Sequence, residues 1–208
     1  MKKITPYKSY KYAVASLDNG GRFYNLRSKA RDGDISSAEL AKAAGVFGGR
    51  QTMMLYLEMS LMDLDEWKKG QVLSHLSKSL KSDYAKFKPE RFSPQQANEA
   101  AMVGQSAIIT GIPKHVDSKT EFKGFIMIPI STGKTTTFTM VPLIDQYDIY
   151  ELRDERTDQE FFIAHHRSKR KLSEEVTRCG GVIKELKSKK SEKSNSDKFL
   201  EMVYYAYY

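Results

Sequence analysis

The feature that most constrains this chain is a change of texture near residue 105. Before it, apolar residues recur at helical spacing, with Ala, Leu and Met prominent. After it, Ile, Val, Thr, Phe and Tyr gather in short runs parted by turn residues. That division predicts an α+β fold. A mainly helical part, 1–104, precedes an antiparallel β-meander with a C-terminal helix and a terminal strand, 105–208, as two domains or one continuous domain. With 208 residues, 40% of them hydrophobic, the chain has ample material for a core. This composition excludes a collagen-like, wholly disordered or disulfide-framework protein.

Local signals place the elements. Ser36-x-x-Glu39 matches a capping box ahead of Ala38–Val46, and Ser93-Pro94 supplies an N-cap with proline at the first helical position. Residues 10–17 fit a strand or a short helix. Helices are expected over Gln51–Leu64, over Lys69–Phe87 through Val72, Leu76, Leu80 and Tyr84, and briefly through Ala97–Val103. Strands are expected at 106–110, 124–130, 135–143, 147–152 and 160–166, with hairpin turns at 131–134 and 154–159. Ser173 opens an expected helix reaching about Lys190, its buried stripe formed by Val176, Cys179, Ile183 and Leu186. The Lys/Ser-rich stretch 187–198 reads as mobile, and 199–208 as a last strand.

Charge is segregated along the chain. Residues 1–100 hold 17 Lys+Arg and 11 Asp+Glu, residues 101–164 hold 6 and 9, and residues 165–208 hold 11 and 6. The single cysteine, Cys179, excludes an intramolecular disulfide and any zinc site built on two cysteines of one chain. The longest apolar run, Phe125–Ile130, is far short of the roughly 20 residues a spanning helix needs, so no membrane association is expected. No apolar stretch follows the basic N-terminus, and the expected location is cytoplasmic.

Several short motifs compete with plainer readings. Glu39–Val46 followed by Arg50-Gln51-Thr52 resembles a helix-turn-helix segment, which implies Arg50 and Gln51 at base edges in a major groove. The Phe47-Gly48-Gly49 connection is about two residues too long for that pattern. The second helix also runs into Met53-Met54-Leu55, which fits two core helices joined by a glycine turn. Asp32-Gly33-Asp34 to Glu39 resembles half of a calcium loop, yet Ala30 falls at a ligand position, and a capped helix explains the same residues. Thr132–Thr135 lacks the earlier glycine and following helix of a phosphate loop. His75 and His115 have no second ligand at helical spacing and receive no role.

Two constellations carry the functional expectation. Residues 165–193 hold ten Lys+Arg and four acids, beside Phe161-Phe162 and the terminal Tyr204, Tyr205, Tyr207 and Tyr208. Cations release counterions from a phosphate backbone and aromatic faces stack on bases. The leading expectation is therefore a nucleic-acid-associated, polyanion-binding protein. Its basic strand-helix edge comprises Arg167, Lys169, Arg170, Lys171 and Arg178, with Arg50 as a second contact. The runner-up is a metal-dependent phosphate-ester hydrolase using the carboxylates of 145–160, with Asp148, Glu151 and His165 converging. A third reading is a protein-interaction module docking through the Met-rich helix Met53–Met62. No cofactor, metal or catalytic residue is assigned from the sequence.

Overall fold

The computed structural model describes residues 1–20, 30–47, 49–116, 124–131, 136–142, 147–167, 171–185, 187–188 and 198–208, with side chains described outside 117–146 and 186–197. The chain divides into two compact units, Lys3–Glu90 and Arg91–Tyr208, the latter joined by Met1–Lys2.

Among the described residues the first unit holds five helices: α1 (Tyr10–Leu17), α2 (Ser37–Ala44), α3 (Arg50–Ser60), α4 (Glu66–Ser74) and α5 (Lys78–Phe87). Their core is Leu17, Ile35, Leu40, Met54, Leu57, Leu61, Val72, Leu76 and Leu80. The capping box forms as expected, with Ser36 and Glu39 exchanging hydrogen bonds, and Gly45 ends α2 in the left-handed region at φ 77°. The single helix expected over Lys69–Phe87 is instead two. Ile35 takes the place of helical partners at the break: its N–H donates to the His75 carbonyl (2.7 Å) and its carbonyl accepts from Ser77 N–H (3.0 Å).

The second unit begins with the edge strand β2 (Glu90–Phe92) and α6 (Pro94–Ala100). Ser93 caps α6, and Pro94 stands at its first turn. The main strands are β3 (Ser106–Val116), β6 (Tyr147–Arg153), β7 (Glu160–His166), β8 (Thr177–Glu185) and β10 (Lys198–Tyr207). A short strand β1 (Lys2–Lys3) lies on the edge beside β10. β4 (Gly124–Ser131), β5 (Thr136–Pro142) and β9 (Lys187–Ser188) make a separate three-stranded sheet in the order β5-β4-β9.

The main strands close on themselves. β3 pairs antiparallel with β6, β6 antiparallel with β7, β7 parallel with β10, β10 antiparallel with β8, and β8 antiparallel with β3. The result is a five-stranded barrel. β3 serves both of its barrel neighbours because it is long: Ser106–Gly111 face β8 and Ile112–Val116 face β6, and the edge strand β2 also pairs with it. The switch falls beside Gly111, where a Cβ would collide with the Arg153 carbonyl oxygen. Inward residues alternate along each strand. Ile109, Tyr150, Leu152, Phe161, Ile163, Cys179, Ile183 and Leu200 form the core, joined by Ala97 and Ala101 of α6. In β10 the register shifts between Met202 and Tyr204, which lets Leu200, Met202 and Tyr205 all join that core.

The α+β class holds, but two finer expectations do not. The sheet is mixed rather than an antiparallel meander, since β4 and β5 leave it and β10 adds to β7 in parallel. The helix expected from Ser173 is the strand β8. Thr177, Cys179, Gly181 and Ile183 are buried at period two, and Gly181 sits against the Glu201 backbone, where a Cβ would collide with the carbonyl oxygen.

Candidate functional site

The predicted basic residues that are described lie on different elements. Arg167 and Lys171 are exposed in the connection between β7 and β8, while Lys169 and Arg170 lie outside the described residues. Arg178 projects outward from β8, between Thr110 of β3 and Ala206 of β10. Its guanidinium stands 4.4 Å from the centre of the Tyr208 ring, a cation–π contact. Arg50 opens α3 in the helical unit and pairs with Asp83 at 3.4 Å. Because β8 is a strand, the helix half of the expected strand-helix edge does not exist.

The outer face of β6 and β7 carries a small second core of Val116, Tyr147, Ile149, Ala164 and Phe199. At its margin the exposed His166 ring stacks on Tyr147, centroids 4.3 Å apart and planes at 28°. The Tyr147 phenol donates to Glu201 Oε1 (2.9 Å), which leaves His166 Nε2–H to donate to the phenol oxygen (3.2 Å). Burial and the Glu201 carboxylate both push the Tyr147 phenol above its ordinary pKa, so it stays protonated as a donor. Lys184 Nζ lies 3.7 Å from the other Glu201 oxygen. Phe162 is half-buried beside this group.

The inner face tests the hydrolase reading. Asp148 and His165 pair across β6 and β7, with His165 Nε2 3.9 Å from Asp148 Oδ2. Glu151 has the opposite strand parity and bonds Arg153 at 3.5 Å. The expected trio therefore splays. The residue that does join Asp148 and His165 is His115 of β3, its Nε2 3.9 Å from Asp148 Oδ1. His115 is registered with Tyr150, whose ring stacks on His165 at 5.8 Å. The sequence holds no signal for this, because it depends on β3 pairing with β6.

The remaining candidates resolve into structure. Met53, Met54 and Met59 are buried, so the Met-rich helix offers no open docking face. The same burial leaves α3 without a recognition surface beyond its first turn. Both Glu39 oxygens are engaged, one by Gly20 N–H and the other by Ser36, so Glu39 is no calcium ligand. His75 Nδ1 bonds the Gly33 carbonyl. Cys179 is fully buried and burial pushes its thiol pKa up, as for a core residue. Thr132–Thr135 and Asp145 lie outside the described residues. No helix among the described residues is long and apolar enough to cross a membrane.

Comparison with protein-family models, with curated proteins and with solved structures returned no match.

Proposed function

We propose that this protein binds single-stranded nucleic acid along the margin of the β6–β7 face. The observation that carries the reading is the strand order. Numbered along the barrel, β3, β6, β7, β8 and β10 close as 1-2-3-5-4-1, with the third and fifth strands parallel. That order is the one found in the oligonucleotide/oligosaccharide-binding barrel. Such barrels bind on the face of strands two and three, flanked by the connections after strands one and four. Here those two connections carry β4 and β9, which pair with each other at Gly124–Ser188 and Phe125–Lys187.

A fold nominates a surface; side chains must supply the chemistry. His166, stacked on Tyr147, offers an exposed ring to an unstacked base. Arg167 and Lys171 stand next in the chain to meet phosphates. The buried centre of the face, at Ile149 and Ala164, confines binding to this margin.

The test is fluorescence anisotropy with a labelled oligothymidylate and the double variant Arg167→Glu/Lys171→Glu. The variant should bind more weakly, and the slope of log K against log salt should fall by about 0.7 for each phosphate that is no longer neutralised. An unchanged affinity and slope would remove this margin as the binding surface.

A further inference from the structure

The last helix of the helical unit, α5, has two sides of different chemistry. Leu80 is buried, and Tyr84 and Phe87 pack against the same core, so its apolar side is taken up inside the unit. On the other side Lys78, Lys81, Ser82, Ala85 and Lys86 are exposed, and exposed Lys88 follows the last turn. At about 100° per residue the three helical lysines fall within an arc of roughly 140°, centred on the small residues Ser82 and Ala85.

These lysines are held without being neutralised. Lys81 Nζ donates to the Ser74 carbonyl at 2.7 Å. Lys86 Nζ lies 5.1 Å from the centre of the Phe87 ring, and Lys88 Nζ lies 5.8 Å from the centre of the Tyr84 ring. Each of those partners is uncharged, so the cations keep their full charge. Asp83 is the one acid of α5, and Arg50 of α3 already pairs with it at 3.4 Å. The Arg50 side chain still stays 66% exposed. Lys78 occupies the first turn of α5, where the helix dipole favours an acid, and that turn holds none. Its charge is therefore kept at a cost to the helix.

We propose that this face of α5 binds the phosphate backbone of nucleic acid, whatever its bases and in single strands and duplexes alike. Lysine acts on phosphate as a point charge, so a row of lysines neutralises a backbone without reading sequence. Lys78 to Lys86 spans about 12 Å at 1.5 Å per residue, roughly three to four phosphates along one strand of B-form DNA. Ser82 and Ala85 leave the middle of the face low enough for a backbone to approach. An anionic membrane is the poorer fit, because a helix lying on a bilayer buries its apolar side there, and α5 gives that side to the core. The surface belongs to the helical unit, and the proposal does not rest on the barrel margin.

The experiment uses the full chain, with fluorescence anisotropy on labelled oligothymidylate and on a labelled duplex across a salt series. In Lys78→Gln/Lys81→Gln/Lys86→Gln/Lys88→Gln the affinity for both should fall. The slope of log K against log salt should drop by about 0.7 on the single strand, and about 0.9 on the duplex, for each phosphate no longer neutralised. Circular dichroism checks the fold. Should this variant fail to fold, Lys78→Glu carries the same expectation: it places an acid in the first turn, so its thermal midpoint should not fall while its binding weakens. Arg167→Glu/Lys171→Glu, measured alongside, separates the two surfaces. A loss in the α5 variants alone supports this proposal and removes the barrel margin; a loss in the margin variant alone does the reverse. Unchanged affinity and slope in a folded α5 variant overturn the proposal. So does cosedimentation with phosphatidylserine vesicles that these substitutions abolish while oligonucleotide binding stays as it was.

Discussion

At Gly181 the fold turns on a single missing methyl group. A Cβ there would collide with the Glu201 carbonyl oxygen on β10. Gly181→Ala should therefore cost about 1–3 kcal/mol through overpacking, read as a lower urea midpoint with unchanged slope. His165 makes a second residue-scale prediction. Burial lowers its pKa in the folded state, against about 6.5 unfolded. Above pH 6.5 neither state binds the proton, and stability is unaffected. Below it the unfolded chain takes up the proton first, so stability falls with pH until the folded value is passed. Thermal unfolding of His165→Gln should therefore lack part of the wild-type loss below about pH 6.5. Parallel pH profiles would contradict this. His165 is visible in the sequence as a titratable group on a strand. His115 is not, since only the pairing of β3 with β6 gives it a neighbour.

Elements show the same limit and its cause. The capped starts of α2 and α6 are legible because caps are local: Ser36 with Glu39, and Ser93 with Pro94. β8 is ambiguous in the sequence because Cys179 and Ile183 satisfy both periods. With Val176 and Leu186 they make a helical stripe; with Thr177 and Gly181 they make a strand face. The glycine pair weighs against helix, at about 1 kcal/mol each. The break between α4 and α5 is also invisible, because Ile35, distant in sequence, imposes it. Those helices are joined to α3 by a buried network. Lys69 Nζ meets Glu58 Oε1 at 2.6 Å and the Tyr84 hydroxyl donates to Glu58 Oε2 at 2.6 Å. Lys69→Met alone leaves a buried charge uncompensated and should cost about 3–5 kcal/mol. The pair Lys69→Met/Glu58→Leu should recover most of that. A double-mutant cycle by chemical denaturation measures the coupling, and additive losses would contradict it.

The whole molecule joins a helical unit to a barrel unit. The barrel is the least legible part, because closure requires β10 to find β7 in parallel and β8 to bridge β10 and β3. No local pattern encodes such long-range pairing. The barrel redistributes the charge pattern of the sequence: Arg167 directly follows β7 and Lys171 lies in the same connection, whereas Arg178 belongs to β8. The central claim is that the β6–β7 margin holds single-stranded nucleic acid. Its most direct test is the affinity of the wild-type chain for a single-stranded oligonucleotide and for its duplex, across a salt series. Tighter single-strand binding, with log K falling linearly against log salt, is the predicted result. No binding at low salt, or a duplex bound as tightly as the single strand, would contradict the account.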